Sequence, residues 1–277
     1  MVGNLYIVAT PIGNLTDITQ RAIDILQSVD FIAAEDTRHS QTLLQHYRIA
    51  TKLVAYHEHN ESTQADTMVA ELQAGKSIAL ISDAGTPLIS DPGYSLVRKA
   101  IAGNIPVIPL PGPCAITTAL SASGLATDSF YFAGFLPTKT TARQTRLSEL
   151  ENLSTTLIFY EAPHRILDSL HDVQTIFGER QVVLARELTK KFETFYRGSA
   201  ADIIAQLTAH EDEQRGEMVI LVSGARINDG ELSADALNVL KILLSELPLK
   251  QAASLAAQIT REKKNALYDW AIAHKSC

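Results

Sequence analysis

Short apolar runs alternate with helical patterns over the first 110 residues of the chain. The runs that predict strands are residues 5–9, 31–34, 53–56, 78–81 and 106–108. Between them apolar side chains recur every three or four positions, as at Ile18 and Ala22, which is the spacing of one helix face. The alternation predicts a mostly parallel sheet with helices on both faces. We expect Asp17 to cap the first helix, and Gly75 and Gly103 to follow later ones.

The pattern changes after residues 124–129, which have the composition of a connector. Further strands are predicted at 130–135, 156–160, 182–186, 192–196 and 218–222, with helices at 166–176 and 202–209. The chain between the third and fourth of these strands is too short for a helical crossover. An antiparallel hairpin is therefore expected there, and the second sheet should be mixed.

The last fifty residues have only helical patterns, at 234–247, 249–259 and 263–274. Asn228, Asp229 and Gly230 predict a loop before them, and Pro248 separates the first two helices. The three helices form either a helix-turn-helix-like module or a helical cap. We expect an α/β protein with two α/β domains at 1–124 and 125–227, a ligand cleft between those domains, and a small helical module at 228–277.

The composition is that of an ordinary globular protein. The chain has 277 residues, of which 46% are hydrophobic and 20% charged, enough for two ordinary cores. No apolar run approaches the length of a membrane span, and the N-terminus lacks the features of a signal peptide, so we expect a cytoplasmic location. Cys114 and Cys277 belong to no zinc or disulfide pattern. The His57-Glu58-His59 triplet lacks metalloprotease spacing and a third ligand, so no metal is expected.

Charge is unevenly distributed along the chain. The net charge of −7 argues against a general nucleic-acid binder. However, residues 131–199 carry 9 Lys and Arg against 8 Asp and Glu, and residues 248–277 carry 5 against 2. These segments either bind a polyanion locally or belong to an ordinary mixed surface.

Three strand-end segments rich in proline and glycine are the strongest functional signal. They are residues 8–17, 82–93 and 110–115, and each connects a predicted strand to a helix. Ligands of open α/β sheets bind at the carboxyl ends of the strands, where such loops meet. None of the three is a dinucleotide fingerprint or a Walker A sequence. Although each alone could be a plain connection, together they predict one wall of a ligand cleft that the second domain closes.

Polar residues follow other strands in the same way. In Glu35-Asp36-Thr37-Arg38 the carboxylates could orient a substrate or transfer protons, or Asp36 could simply cap a helix. His164 is expected at the cleft mouth, after Pro163 in the first turn of a helix, with either a functional or a structural role. Residues 186–191 form a basic turn that is either solvated or a phosphate contact. Lys139, Arg143 and Arg146 would share one face of a helix.

Six motifs resemble those of the tetrapyrrole methylase superfamily. They are Ala9-Thr-Pro-Ile-Gly-Asn-Leu15, Ala34-Glu-Asp-Thr-Arg38, the loop from Ser82 to Gly93, Pro111-Gly-Pro113, Phe159-Tyr-Glu-Ala-Pro-His-Arg165 and Ala185-Arg-Glu-Leu-Thr-Lys-Lys191. More narrowly, the chain resembles the branch that methylates a cytidine ribose on its 2′-oxygen in 16S ribosomal RNA, and residues 250–268 look like the small helical domain of that branch. One departure is Cys114, where serine is more often expected.

The resemblance implies S-adenosylmethionine as donor and 16S ribosomal RNA of the small subunit as partner, with a homodimer possible. The implied donor-binding residues are Pro11, Asp83, Ala84, Gly85, Thr86, Pro87, Cys114, Ala115, Tyr160 and Glu187. Asp36 and Lys190 are the candidates for the catalytic base. The candidates for RNA contact are Arg38, Lys139, Arg143, Arg146, His164, Arg165 and Lys191. The alternatives are a methylase of a corrin-like tetrapyrrole and a non-enzymatic RNA-binding assembly factor.

Overall fold

A computed structural model describes residues 2–57, 60–225, 232, 234–260 and 262–274. The chain divides into two compact units, Met1–Ala225 and Arg226–Cys277. The first unit holds both predicted sheets. The loop expected at Asn228, Asp229 and Gly230 lies outside the described residues, as does Cys277. The domain boundaries after residues 124 and 227 remain a proposal.

The first sheet is parallel throughout, as the alternation predicted. Its strands are β1 (Leu5–Val8), β2 (Phe31–Ala34), β3 (Leu53–Ala55), β4 (Ile78–Ile81) and β5 (Val107–Leu110), in the order β3-β2-β4-β1-β5. Its helices are α1 (Gln20–Ser28), α2 (Thr37–His46), α3 (Glu61–Gln73), α4 (Tyr94–Ala102) and α5 (Ala115–Ser123). Strand β5 begins one residue later and ends two residues later than predicted. It includes Pro109, which an edge strand tolerates because it need not donate on its outer side.

Helix termini correct one detail of the sequence interpretation. Thr19, not Asp17, caps α1, because its side chain accepts a hydrogen bond from the backbone N–H of Ala22. Asp36 caps α2, one of the two roles left open for it, and accepts from the N–H groups of Arg38 and His39. Gly103 follows α4 as expected, and the left-handed position after it is taken by Asn104, with a φ of 54°.

The second sheet is mixed and also agrees with the prediction. Its strands are β6 (Phe130–Phe135), β7 (Thr156–Glu161), β8 (Val182–Arg186), β9 (Thr194–Gly198) and β10 (Met218–Val222), in the order β6-β7-β10-β8-β9. Its helices are α6 (Thr140–Leu150), α7 (Ile166–Phe177) and α8 (Ala200–Ala209). Strands β8 and β9 form the expected antiparallel hairpin. The second strand of the hairpin starts two residues later than predicted because a wide turn precedes it, with Glu187 and Thr189 at positive φ.

The second unit is helical. It contains α9 (Ala234–Glu246), α10 (Leu249–Thr260) and α11 (Lys264–Ala273), each within one residue of its predicted bounds. Small and branched apolar side chains such as Leu240, Ala253 and Leu267 are fully buried between the helices, so this unit has its own core. No helix within the described ranges is both long and apolar enough to cross a lipid bilayer.

Candidate functional site

The three strand-end loops of the first sheet are joined by hydrogen bonds. Thr10 and Gly85 exchange two backbone hydrogen bonds of 2.9 Å, which connect the loop after β1 to the loop after β4. The hydroxyl of Thr86 donates to the carbonyl oxygen of Pro113 at 3.0 Å and connects the third loop. These bonds hold the three loops in one arrangement, as a preformed binding wall requires.

The loop after β4 contains unusual backbone conformations. Gly85 and Gly93 have φ values of 83° and 135°, and between them Leu88 and Ser90 have φ values of 73° and 65°. A left-handed conformation at a non-glycine residue costs roughly 1–2 kcal/mol and persists only where the surroundings enforce it. Such strain concentrates at binding and catalytic sites, so this loop is the leading candidate for ligand contact.

A cavity of about 370 Å³, the main cavity, opens beside this wall. That volume is within the range of small-molecule sites. Seven of the predicted donor-binding residues line it: Asp83, Ala84, Gly85, Thr86, Cys114, Ala115 and Tyr160. Strands β7 and β10 of the second sheet contribute the opposite side, including Glu161 and Met218. The cavity therefore lies between the two sheets of the first unit.

A second cavity of about 350 Å³ adjoins the loop after β1 and is lined by Pro11, His39 and Lys190. Here the two sheets approach closely, since a Cβ at Gly13 would lie 2.5 Å from Cγ of Lys190. The predicted donor-binding residues Pro87 and Glu187 line neither cavity. Glu187 instead accepts hydrogen bonds from Lys190 and from the backbone N–H of Glu217.

Of the five acidic residues that line the main cavity, Glu35, Asp83 and Asp91 follow strands of the first sheet, and Glu161 and Glu217 belong to the second. Burial raises the pKa of Asp91 to about 6, and the nearby carboxylate of Glu35 adds to the effect. Burial and the charge of Asp83 also raise the pKa of Glu35. The mutual repulsion of these groups favours a cationic ligand, which would relieve it.

The two residues predicted as catalytic base are poorly suited to that role. The carboxylate of Asp36 does not line the main cavity, and hydrogen bonds from Arg38, above all its backbone N–H, lower the pKa of Asp36. Burial tends to lower the pKa of Lys190, but its hydrogen bonds to Glu187 and Glu217 raise the pKa above its ordinary value overall. A carboxylate with a lowered pKa is a weak base, and a lysine held as ammonium already carries the proton that a base would have to accept.

The sequence interpretation considered Glu35 together with Asp36 but selected Asp36 as the candidate base, and it gave Asp91 no role. Glu35 is the first residue after β2, and Asp91 follows the strained backbone at Ser90. The position of Glu35 at a strand end marks it as a candidate but does not tell which of the two adjacent carboxylates faces the cavity. For Asp91 no signal separated it from the other polar residues of its loop.

Tyr160 and Glu161 fix the β7 side of the main cavity. Burial raises the pKa of Tyr160 far above its ordinary value, so its phenol is neutral. The side chain of Glu161 is fully buried and accepts hydrogen bonds of 2.5 Å from both Arg165 and Ser169. Arg165 also donates to the carbonyl oxygen of Leu136. This arginine, predicted to contact RNA, is therefore engaged inside the protein and not free at the surface.

The predicted basic face of α6 is also corrected. Arg143 is buried and donates to Asp172 of α7 at 2.6 Å, with exposed side-chain fractions of 3% and 7% for the two residues. An RNA phosphate cannot reach it, so the prediction for Arg143 is wrong. Arg146 is half-buried and bonds to Glu149 and to the hydroxyl of Tyr131.

The remaining RNA candidates lie at the surface. Lys139, His164 and Lys191 are exposed, and the side chain of Arg38 is 92% exposed with only a 3.4 Å contact to Asp36. In the part of the chain that the structure describes, no group of three or more side chains could hold a metal ion. Glu58 and His59 of the histidine triplet lie outside that part.

Comparison with known proteins gives two family matches. Residues 4–204 match the family Tetrapyrrole (Corrin/Porphyrin) Methylases, and residues 230–275 match the RsmI C-terminal HTH domain. The chain is 55% identical to the protein called ribosomal RNA small subunit methyltransferase I of Escherichia coli O157:H7, over 98% of this chain and 95% of that relative. It is 56% identical to the protein of the same name of Vibrio cholerae, over 97% of this chain and 94% of that relative.

Solved structures agree with the fold. The uroporphyrin-III-C-methyltransferase of Thermus thermophilus is similar with a TM-score of 0.56 at 18% identity. The similarity covers 80% of this chain and 94% of that one. At this identity the match establishes the arrangement of the two sheets and nothing about the substrate.

Proposed function

The chain belongs to the tetrapyrrole methylase family, and on that premise we propose that it methylates the 2′-hydroxyl of a cytidine ribose in 16S ribosomal RNA of the small subunit. One observation carries this proposal: the rRNA methyltransferases match the chain over almost its whole length, including the helical unit after residue 225. The Thermus tetrapyrrole enzyme matches only 80% of the chain. Family membership alone leaves the acceptor open, and the extra helical unit favours RNA over a corrin.

The proposed donor is S-adenosylmethionine, bound in the main cavity. The residues present fit such a molecule, because backbone groups of the loop after β4 can approach it at Gly85 without a side chain. Asp83, Asp91 and Glu35 supply negative charge for its cationic groups. When bound, the donor supplies an electrophilic methyl group on a positively charged sulfur.

The chain's own contribution is mainly placement. The ribose oxygen must approach the methyl carbon in line, so both reactants have to be held in one geometry. Tyr160 and Cys114, which both line the main cavity, provide that fixed frame together with the hydrogen-bonded loops. A cavity carboxylate is better placed than Asp36 or Lys190 to take the hydroxyl proton at or after transfer.

Arg38, Lys139, His164 and Lys191 remain proposed RNA contacts. These side chains are exposed and can contact phosphates. Within the described residues, Arg38 alone among the four would have to give up an ion pair, its 3.4 Å contact with Asp36. Since such contacts release counterions, they position RNA and make its binding depend on salt. The C-terminal helical unit adds further basic residues, with 5 Lys and Arg against 2 Asp and Glu in residues 248–277.

A cytoplasmic location and a homodimer complete the proposal. The substrate is a ribosomal subunit, which requires access to the compartment of ribosome assembly. In a dimer, the RNA-contacting residues of two copies would form one longer basic surface. Sedimentation at micromolar concentration checks this part, since a mass near 30.2 kDa would mean a monomer and exclude it.

The proposed activity is tested with methyl-labelled S-adenosylmethionine and small ribosomal subunits that lack the modification. After the reaction the RNA is digested and the labelled nucleosides are identified. Label in 2′-O-methylcytidine is the expected result. Donor binding without label in RNA would contradict the proposed acceptor and favour a small-molecule methylase or an assembly factor.

Donor affinity should depend on the ionisation of Asp91. The pKa of about 6 means that this carboxylate gains its charge between pH 5 and pH 7 in the donor-free protein. Because a cationic donor favours the ionised form, its affinity should rise by about fivefold over that interval if binding lowers the pKa by one unit. Calorimetric titration at several pH values measures this, and Asp91→Asn should flatten the dependence.

The same substitution provides a stability control. The pKa of Asp91 in the folded protein is raised above its ordinary 3.8, so its contribution to stability is present below pH 4 and lost as the pH rises through about 6. Asp91→Asn should therefore raise the melting temperature at pH 8 and leave it unchanged below pH 4. A uniform decrease at both pH values would show that Asp91 is mainly structural.

A further inference from the structure

Strand β6 contains a bulge close to the main cavity. Phe132 pairs with Ile158 of β7, and Phe135 pairs with Tyr160, so three steps along β6 match two steps along β7. The extra residue is accommodated at Gly134, whose φ of 72° lies in the left-handed region that favours glycine. Bulges of this kind redirect the side chains that follow them and are common beside active sites.

The bulge decides which face of the sheet Phe135 occupies. Side chains alternate along a strand, so without the extra residue Phe135 would share the face of Ala133, which packs against the core of the second sheet. With the extra residue it shares the opposite face with Phe132 and Tyr160. Its ring meets the Tyr160 ring edge-on, with the centroids 5.5 Å apart.

The redirected ring lies at the mouth of the main cavity. Phe135 lines that cavity, yet 55% of the residue remains exposed. Ile89 and Ser90 of the strained loop line the same opening, and a Cβ at Gly134 would lie 4.0 Å from Oγ of Ser90. Phe135 and Ile89 thus form two apolar edges of one opening.

The exposure of the Phe135 ring at the mouth of the main cavity does not stabilise the fold. Leaving a large apolar ring in water gives up stability that burial would provide. Small-molecule ligands are enclosed over most of their surface by the interior of a cavity, which here is formed by the loop after β4 and by Tyr160. The outer surface of the Phe135 ring is therefore available to the second reactant, which enters from solvent.

We propose that Phe135 is a stacking platform for the base of the acceptor nucleotide, which leaves its RNA stack when its ribose enters the main cavity. This inference rests on the proposed function, since it names a residue that positions the RNA substrate of the same site. Proteins recognise unstacked RNA bases by stacking them on aromatic side chains, and an enzyme that modifies a nucleotide must expose it. A phenylalanine side chain is sufficient for this role, because stacking requires an aromatic face and no polar group.

The test compares Phe135→Leu and Phe135→Trp with the unaltered full-length protein. Small ribosomal subunits are the substrate, and the donor dissociation constant is measured separately by calorimetry. We expect Phe135→Leu to lower kcat/KM for the subunit on the order of tenfold through a higher KM, with the donor constant unchanged. Phe135→Trp should restore kcat/KM, because it returns an aromatic face.

A matched control lies on the same strand. Phe130 is 45% exposed and does not line the main cavity, so Phe130→Leu makes the same chemical change away from the site. Equal losses of kcat/KM in both leucine variants would overturn the proposal, as would wild-type kcat/KM in Phe135→Leu. A donor dissociation constant that rises with KM would also overturn it, because the ring would then contact the donor.

A binding measurement separates this proposal from the proposed activity. A short oligoribonucleotide carrying the fluorescent base pyrrolocytosine is titrated with donor-saturated protein. Quenching by the wild type that is lost in Phe135→Leu and kept in Phe135→Trp and Phe130→Leu would support stacking, even if methyl transfer were absent. Absence of quenching by the wild-type protein would overturn the proposal.

Discussion

Replacing Arg143 with methionine should lower the free energy of unfolding by about 3–5 kcal/mol, the usual effect of removing one partner of a buried ion pair. The guanidinium donates to Asp172 at 2.6 Å, and both side chains are almost fully buried. Without the arginine, the Asp172 carboxylate would keep only the hydrogen bond from Gln144 at 2.7 Å. Its charge would stay buried without compensation, and urea denaturation at neutral pH should show the loss.

Two further variants make this prediction specific. Lys139→Met removes an exposed cation from the start of the same helix and should leave the free energy of unfolding unchanged within about 0.5 kcal/mol. The double variant Arg143→Met with Asp172→Leu should recover most of the loss, because an apolar pair replaces a buried ionic one. If Arg143→Met had nearly native stability and bound RNA more weakly, the prediction would be contradicted and Arg143 would again be a candidate for RNA contact.

Arg143 also illustrates what sequence periodicity can establish. The spacing of Lys139, Arg143 and Arg146 predicts a common helix face, but it does not tell whether that face meets solvent or protein. The deciding residue, Asp172, lies 29 positions away on another helix. A pairing over that distance depends on how α6 and α7 pack, which no local pattern contains. The missed N-cap at Thr19 is a smaller error with a local cause, since Asp17 and Thr19 lie two positions apart and the side chains of both can cap a helix.

The strands and loops were more predictable for a physical reason. A buried strand such as β4 is a continuous apolar run, and the loop after it contains glycine and proline; both features are local. The meeting of the loops followed from one topological rule, that carboxyl ends of parallel strands share one edge. The individual roles of Asp36 and Glu35 were not predictable, because adjacent residues leave a strand end in different directions. Asp36 turns to the helix cap and Glu35 to the cavity.

The largest expected effect on function is at Asp83. Its carboxylate lines both cavities and accepts the backbone N–H of Asp36 at 3.0 Å, so it combines negative charge with support for the start of α2. Asp83→Ala removes both and should weaken donor binding by at least 100-fold, since a hydrogen bond to a charged group contributes about 1.5–3 kcal/mol and a second role is lost with it. Calorimetric titration with S-adenosylmethionine measures the change.

Asp83→Asn separates the two roles. The amide oxygen can still accept the N–H of Asp36, so α2 should keep its position while the negative charge is lost. We expect donor binding to weaken about tenfold, by roughly 1.4 kcal/mol. The donor-free protein should become slightly more stable at pH 8, because repulsion from Asp83 helps to raise the pKa of Glu35. Asp24→Asn, on the exposed face of α1, changes the net charge equally and should alter neither quantity.

Opposite changes in affinity and stability are the decisive signature. Substitution of a residue that only supports the fold would lower stability and donor affinity together. Substitution of a charge that serves a cationic ligand lowers the affinity but raises the stability of the donor-free protein, because that charge repels its neighbours when no ligand is bound. If Asp83→Asn bound the donor as tightly as the wild type, the carboxylates of the main cavity would not recognise its charge. If it lost stability at pH 8, the charge of Asp83 would strengthen its hydrogen bond from Asp36 by more than it repels the neighbouring carboxylates, and the acidic cavity would be structural in origin.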